Sequence, residues 1–266
     1  GLATPRPIDT DNDGLIDTVY AGDLLGNMHK FQFSKLEGSN YVPAASGSAS
    51  GGAWRYIGKI FETGQPITTA PSVLPACRGT GWNVLIGTGK LNEDTDYSDT
   101  ASRSFYSVVD NNPSSNLTVA ASSITNITTT TSNSGANSIS TRTWTEPDLI
   151  GKKGWKMTFA NGERILSNSS LPPDTGTVLF STTKPTGDVC TSGNSGYIMA
   201  VNICTGTIGD ILVGDTLVGG VGLDSTGVIK VSNTYTNLLR QEKILCNQDN
   251  CKDPSGPALI TKSAPR

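Results

Sequence analysis

Charge is scarce in this chain. Only 16% of its 266 residues are Asp, Glu, Lys or Arg, against roughly 25% in an ordinary soluble domain. The 20 basic residues are scattered among 23 acidic ones, for a formal net charge of −3. No basic stripe results, so no nucleic-acid partner is expected. Histidine is reduced to a single residue, His29. That excludes a zinc site built from histidines, and a His-based triad could centre only on His29. No apolar run approaches the roughly 18 residues of a membrane-crossing helix. No leader with a basic start and an apolar core opens the chain, so an exported protein would be present here in processed form. Aromatics are 6%. Ala, Leu, Glu, Lys and Arg are outweighed by Gly, Thr, Ser, Val, Asn and Ile, which favours short strands joined by turns over helices.

Gly, Ser and Thr together make up about a third of the chain, and its length is enough to bury a sizeable core. Strand signals recur at roughly ten-residue spacing, as in a sandwich, barrel or propeller. Thr18–Gly22 leads through a Gly/Asn turn into Met28–Phe33, where polar and apolar residues alternate. Ala53–Phe61 alternates too, Asn83–Gly87 is a short apolar run closed by glycine, and Ser104–Asp110 follows. Beyond Lys153 come Gly154–Phe159, a turn at Asn161-Gly162, Glu163–Leu166, Thr177–Thr182, Gly196–Val201 and a late run, Gly227–Val231. The stretch 114–140 is dominated by Ser, Thr and Asn and reads as an exposed loop inserted into a domain spanning 1–246. Within it, Asn116 and Asn126 head Asn-x-Thr triplets, which arise easily by chance in such a segment. Residues 247–266 read as a polar tail.

Five cysteines stand at 77, 190, 204, 246 and 251. The simplest arithmetic is two local pairs, Cys190–Cys204 across a strand and Cys246–Cys251 across a turn. Cys77 is then left as a core residue or as the partner of another chain. The alternative is five reduced, buried thiols.

The sharpest motif is Asp9-Thr10-Asp11-Asn12-Asp13-Gly14-Leu15-Ile16-Asp17. Carboxylates occupy positions 1, 3, 5 and 9 and glycine position 6, as in the front of a calcium loop. Calcium takes six to eight hard oxygen ligands, and alternate residues of a tight loop turn their oxygens inward. Gly14 permits the turn that brings the Leu15 carbonyl to position 7. The expected ligands are therefore Asp9, Asp11, Asp13, the Leu15 carbonyl and Asp17, with Ca2+ as the cofactor. Position 12, a bidentate Glu in a full EF-hand, is Tyr20 here, and the flank reads as a strand. That pattern fits a structural or tuning site rather than a sensor that opens a helix pair. An Asp-rich surface turn without metal is the plainer alternative. A second acidic stretch, Glu93–Asp99, lacks the glycine and the spacing and reads as a solvated loop.

No catalytic constellation emerges. There is no Gly-x-Ser-x-Gly elbow and no phosphate-binding Gly-Lys-Ser/Thr loop, and Gly87-Thr88-Gly89 lacks the third glycine and the helix of a dinucleotide site. His29 lies in an alternating strand as a surface or packed imidazole, and Asp23 is placed to cap a turn. The chain does not read as an enzyme.

Several of these motifs, taken in order, resemble the C-terminal domain of the PilC/PilY family, the type IV pilus biogenesis factors and tip adhesins. They are Gly1-Leu2-Ala3-Thr4-Pro5, the acidic loop, Val19-Tyr20-Ala21-Gly22-Asp23-Leu24 with Gly26-Asn27, and Ile86-Gly87-Thr88-Gly89-Lys90 with Glu93-Asp94. Ser104-Phe105-Tyr106, Gly154-Trp155-Lys156-Met157, Gly162-Glu163-Arg164-Ile165 and Cys190 to Cys204-Thr205-Gly206 continue the series. The resemblance covers most of residues 1–206 and is similar to the back part of the family's domain. It implies an all-β, modified β-propeller whose ring this length does not close, and one calcium site in the acidic loop. It further implies a place at the pilus tip or outer membrane, reached through the periplasm, and support of pilus extension against retraction and of surface attachment. The implied partners are minor pilins at the tip, a host or abiotic surface receptor, and the rest of the chain's own propeller. An integrin-like calcium-propeller binding module is the competing reading. Such modules carry the acidic loop in several blades, and here it occurs once.

Overall fold

The structure, a computed structural model, describes the chain except for residues 39, 44–50, 78, 112–117, 135–138, 173–175, 186–194, 210, 214–215, 224–235, 239–242 and 246–266. Among the described residues it is nearly all strand, with two single-turn 3₁₀ segments, Asp94–Tyr97 and Ala121–Ser123. None of its helices is long and apolar enough to cross a membrane.

The first sheet is an antiparallel set formed by β1 (Arg6–Ile8), β2 (Thr18–Gly22), β3 (Asn27–Glu37), β4 (Asn40–Pro43) and β5 (Ala53–Glu62). Its order is β1-β2-β3-β5, and β4 pairs with the far end of β3. Then come β6 (Ser72–Pro75), β7 (Trp82–Gly87), β8 (Arg103–Asp110), β9 (Ile124–Ile127), β10 (Thr130–Ser134), β11 (Ile139–Thr143) and β12 (Gly154–Phe159). The second sheet runs β6-β7-β8-β12, antiparallel throughout, with β9 added in parallel on the outer edge of β12. The third uses β13 (Thr177–Ser181), β14 (Gly196–Asn202) and, after β15 (Ile211–Val213) and β16 (Thr216–Val218), β17 (Gly220–Leu223). Its order is β13-β14-β17-β11-β10, and a bridge from Ser170 to Leu179 takes the place of a first strand. With β18 (Thr236–Leu238) and β19 (Lys243–Leu245), β15 and β16 make a small fourth sheet.

Three five-stranded sheets stacked face to face are three propeller blades, and two cores join them. Between blades 1 and 2 lie Tyr20, Met28 and Phe61 against Val84, Ile86, Tyr106 and Val108. Between blades 2 and 3 lie Leu85, Phe105 and Met157 against Val178, Phe180, Met199 and Val201, with Phe105 and Phe180 stacked at 3.9 Å. Successive side chains on a strand point to opposite faces. The run Val84-Leu85-Ile86 is continuous because β7 is buried on both. A polar tie crosses the first interface, where buried Lys30 and Tyr20 both donate to Asp110 Oδ2, at 2.8 and 2.7 Å. No core cluster joins blade 1 to blade 3 among the described residues.

Each blade repeats one clasp between its second and third strands. Asn27 N donates to Asp23 Oδ1 and Asp23 N to the Asn27 carbonyl, at 2.8 and 3.0 Å. Ser104 N and Thr88 are linked in the same way, at 2.7 and 3.0 Å. So are Tyr197 N and Thr182, at 2.9 and 2.8 Å. At the adjoining strand end of blades 1 and 2 a packed isoleucine side chain leaves no room for a Cβ. A Cβ on Gly22 would meet Ile67 at 2.2 Å, and one on Gly87 would meet Ile165 at 2.6 Å.

Several sequence expectations are corrected. The expected Cys190–Cys204 bridge is replaced by Cys77–Cys204, which staples blade 2 to blade 3. Local spacing cannot register a contact that exists only once blades stack. Cys190, Cys246, Cys251, Gly227–Val231, Asn116 and the tail lie outside the described residues. The Ser/Thr/Asn-rich segment is not a plain loop. It supplies β9, with Ile124 and Ile127 buried, and the β10–β11 hairpin. Glu163–Leu166 makes a single bridge, Arg164 to Thr183, rather than a strand. The buried Arg164 guanidinium instead donates to the carbonyls of Gly162, Lys90 and Asp99.

Candidate metal centre

The acidic loop connects β1 to β2 at one end of blade 1. Its backbone takes left-handed conformations at Asn12 (φ 61°) and Gly14 (φ 88°). Asn tolerates that region and Gly has no Cβ to clash, so these are the residue types such a turn needs. Asp9 closes the loop on itself: Oδ1 accepts from Asn12 N at 2.7 Å and Oδ2 from Gly14 N at 2.8 Å. Asp13 N donates to Asp11 Oδ1 at 3.3 Å, and Leu15 N to Asp13 Oδ1 at 2.8 Å.

Asp17 anchors the loop to the sheet. Its side chain is buried, accepting from Thr10 N and both the Thr10 and Thr18 hydroxyls, each at 2.7 Å. Its carbonyl accepts from Phe33 N on β3 at 2.7 Å. Thr10, which the spacing does not single out, orients this carboxylate; the only signal for it is its place between Asp9 and Asp11.

The structure brings Asp9, Asp11 and Asp17 together, each offering a carboxylate oxygen within 4.8 Å of the others. Asp13 shares the loop, but its carboxylate stands outside that trio. Hard carboxylate oxygens converging on an exposed turn fit a hard divalent cation, and no nitrogen or sulfur donor belongs to the set. Charge supports the fit. Desolvation, then the neighbouring Asp13 charge, raise the Asp11 pKa, while the Asp13 N–H works the other way. Asp9 is also partly desolvated, yet the Gly14 and Asn12 N–H groups more than compensate and hold it below its usual value. Tyr20, at position 12, points away into the interface between blades, fully buried, with its hydroxyl on Asp110.

The other candidates resolve differently. Glu93–Asp99 folds into a 3₁₀ turn with a capping box, and Lys90 bridges Glu93 and Asp96 at 3.2 and 3.0 Å. Asp23 caps the β2–β3 turn, accepting from Leu25 N and Asn27 N, and pairs with His29 Nε2 at 2.9 Å. His29 Nδ1 faces the Tyr56 hydroxyl at 3.0 Å.

Stacked five-stranded sheets with an acidic loop at a blade end define an open segment of a β-propeller. A sequence model of the PilY1 beta-propeller domain matches residues 1–141. The chain belongs to that family. It is 27% identical over 219 residues to a type IV pilus biogenesis factor PilY1 homolog of Xylella fastidiosa, covering 77% of this chain and 16% of the relative. Against PilY1 of Pseudomonas aeruginosa strain UCBPP-PA14 it is 26% identical over 251 residues, covering 77% and 22%. The chain thus spans less than a quarter of these relatives. The crystal structure of the Pseudomonas aeruginosa PilY1 C-terminal domain shares the fold, with a TM-score of 0.66 at 21% identity, over 89% of this chain and 59% of that one.

Proposed function

We propose that this chain is the calcium-binding propeller segment of a non-enzymatic type IV pilus biogenesis protein at the bacterial surface. The observation that carries the reading is the convergence of Asp9, Asp11 and Asp17 in the β1–β2 loop of a PilY1-family propeller. The ligands are those three carboxylates with Asp13 and the Leu15 carbonyl. Bound calcium would supply the positive charge that lets these carboxylates share one small volume. The protein's own part is to orient them: Thr10 and Thr18 hold Asp17, and Gly14 and Asn12 hold Asp9. Because Asp17 is bonded to β3 through its carbonyl, order in the loop is order in blade 1. The relatives' role in type IV pilus biogenesis supports a place at the pilus tip or outer membrane, beside minor pilins. There the protein would support extension against retraction and attachment to a host or abiotic surface.

Calorimetry tests the site. Calcium should bind the chain with one equivalent and stabilise it by about 2.7 kcal/mol at a hundredfold excess over Kd. Asp9→Asn and Asp17→Asn should abolish both effects. Equal calcium uptake by the chain and these variants would overturn the assignment. The biogenesis reading has its own readout: surface pili of cells whose gene carries the paired substitution should fall in number, and unchanged piliation would overturn that part.

A further inference from the structure

A cleft of about 530 Å3 opens between blades 2 and 3, within the roughly 300–1,000 Å3 of small-molecule sites. β12 and the turn after it form one wall, and β11 with the start of β14 forms the other. The cleft stands where the clasps of these blades are. Tyr197 of the blade 3 clasp lines it, as does Thr158, the strand partner of Ser104 in the blade 2 clasp. In blade 1 the acidic loop precedes β2 and the clasp follows it, so the cleft lies at the other end of the blades from the acidic loop.

Sites of this size are usually apolar with a few polar groups. Here polar side chains make up most of the wall. Buried Arg142 and Glu163 are joined by two bonds of 2.6 Å, and the guanidinium lies 3.6 Å from the Tyr197 ring centroid. The Tyr197 hydroxyl and Ser140 Oγ are 2.6 Å apart. These contacts fix the side chains before a ligand arrives, which lowers the ordering cost of binding. They do not exhaust the groups they join. A guanidinium has five N–H groups and a carboxylate about four acceptor sites. The fork uses one N–H on each Nη, and Nε reaches only Thr131 Oγ1, at 3.5 Å. Among the described residues, each Nη therefore keeps an N–H and each Glu163 oxygen an acceptor site. Beside them in the lining stand the exposed side chains of Asn161 and Lys184.

Donors and acceptors side by side suit a ligand whose groups both donate and accept, as hydroxyls do. A phosphate calls for donors alone, and the Glu163 carboxylate opposes it. An apolar ligand would cover the remaining capacity of Arg142 and Glu163 without pairing it, which is costly. Charge narrows the class further. Arg142 and Glu163 cancel, and Lys184 is the one other charged residue of the lining. The cleft is therefore net positive and attracts an anion. We propose that this cleft binds a carboxylated saccharide of one or two rings, its hydroxyls engaging Arg142, Glu163 and Asn161 and its carboxylate meeting Lys184. The proposal does not depend on calcium.

Calorimetric titration of the chain tests it. Sialyllactose and digalacturonic acid are the acidic probes, and lactose and galabiose are their neutral counterparts. At least one acidic probe should bind several-fold tighter than its counterpart, and the tighter of the two tells a sialylated glycan from a uronic acid polymer. Lys184→Ala should erase that preference. Ser195→Trp fills the cleft from an exposed wall position and should abolish binding, with folding checked by circular dichroism. Asn161→Gly removes the amide at a left-handed position (φ 57°) that glycine tolerates, and should weaken binding several-fold without loss of fold. No uptake of any of the four sugars at millimolar concentration overturns the proposal. Equal affinity for acidic and neutral sugars overturns it too, as does binding that Ser195→Trp and Asn161→Gly both leave unchanged. Acetate bound as tightly as the acidic sugars would make the cleft a plain anion site and also overturn it.

Discussion

Cys204, just past β14 in the third blade, is bonded through sulfur to Cys77, just past β6 in the second, across 127 residues of sequence and a Cα separation of 5.3 Å. The bond ties together two sheets that also meet through side-chain packing and through the Trp155 Nε1 hydrogen bond to the Ile203 carbonyl at 3.0 Å. Closing so long a loop removes chain entropy from the unfolded state, an effect worth about 5 kcal/mol at most in the chain-entropy model. Digestion without reductant should therefore yield one cross-linked peptide pair carrying Cys77 and Cys204. Cys204→Ser should lower the midpoint of chemical unfolding and remove the reductant sensitivity of the remainder. A Cys190–Cys204 peptide in that digest would refute the connectivity.

A further link between these blades is ionic. Arg142 on β11 and Glu163 beyond β12 meet fork to fork, with both contacts at 2.6 Å, in the wall of a cleft of about 530 Å3. Both side chains are buried, and the guanidinium lies 3.6 Å from the centroid of the Tyr197 ring. Removing one member of a buried pair leaves the other charge uncompensated, at a cost of roughly 3–5 kcal/mol, whereas replacing both by apolar residues is often neutral. Glu163→Gln should accordingly destabilise the protein strongly in urea. The double variant Arg142→Met with Glu163→Leu should recover most of the loss. A single variant as stable as the parent would show that the pair contributes nothing.

Strand content and the acidic loop were legible in the sequence because both are written locally. Alternation marks β3, an apolar run closed by Gly87 marks β7, and Asp-x-Asp-x-Asp-Gly marks the loop. The blade repeat was not legible. The clasp needs only a side-chain oxygen at one position, and Asp23, Thr88 and Thr182 supply it with different residues, while the partners Asn27, Ser104 and Tyr197 all answer through their backbone, Asn27 adding its side chain. The disulfide and the Arg142–Glu163 pair escaped for a related reason: each joins elements of different blades, so neither leaves a spacing. The strands within 114–140 were hidden by composition. Ser and Thr serve a half-exposed edge strand as well as a loop, and only Ile124 and Ile127 mark the buried side.

The clasp of blade 1 differs from the other two in being titratable, which gives it a pH dependence that they lack. Desolvation raises the Asp23 pKa, but bonds from the Asn27 side chain, His29 and the Asn27 N–H outweigh it and hold the carboxyl at about 2, below its ordinary 3.8. A carboxylate depressed by folding adds stability that is complete above its unfolded value and is lost as pH falls through the folded one. The window for Asp23 therefore runs from 3.8 down to about 2. Over that range protonation discharges the partner of His29 and weakens the acceptor that holds Leu25 N and Asn27 N. Asp23→Asn keeps an acceptor for the turn but cannot titrate. Its stability, followed by circular dichroism with chelator present, should lie below the parent's at neutral pH and converge on it as the pH approaches 2. Curves that stay parallel through the window would show that the Asp23 charge does not help hold the blade.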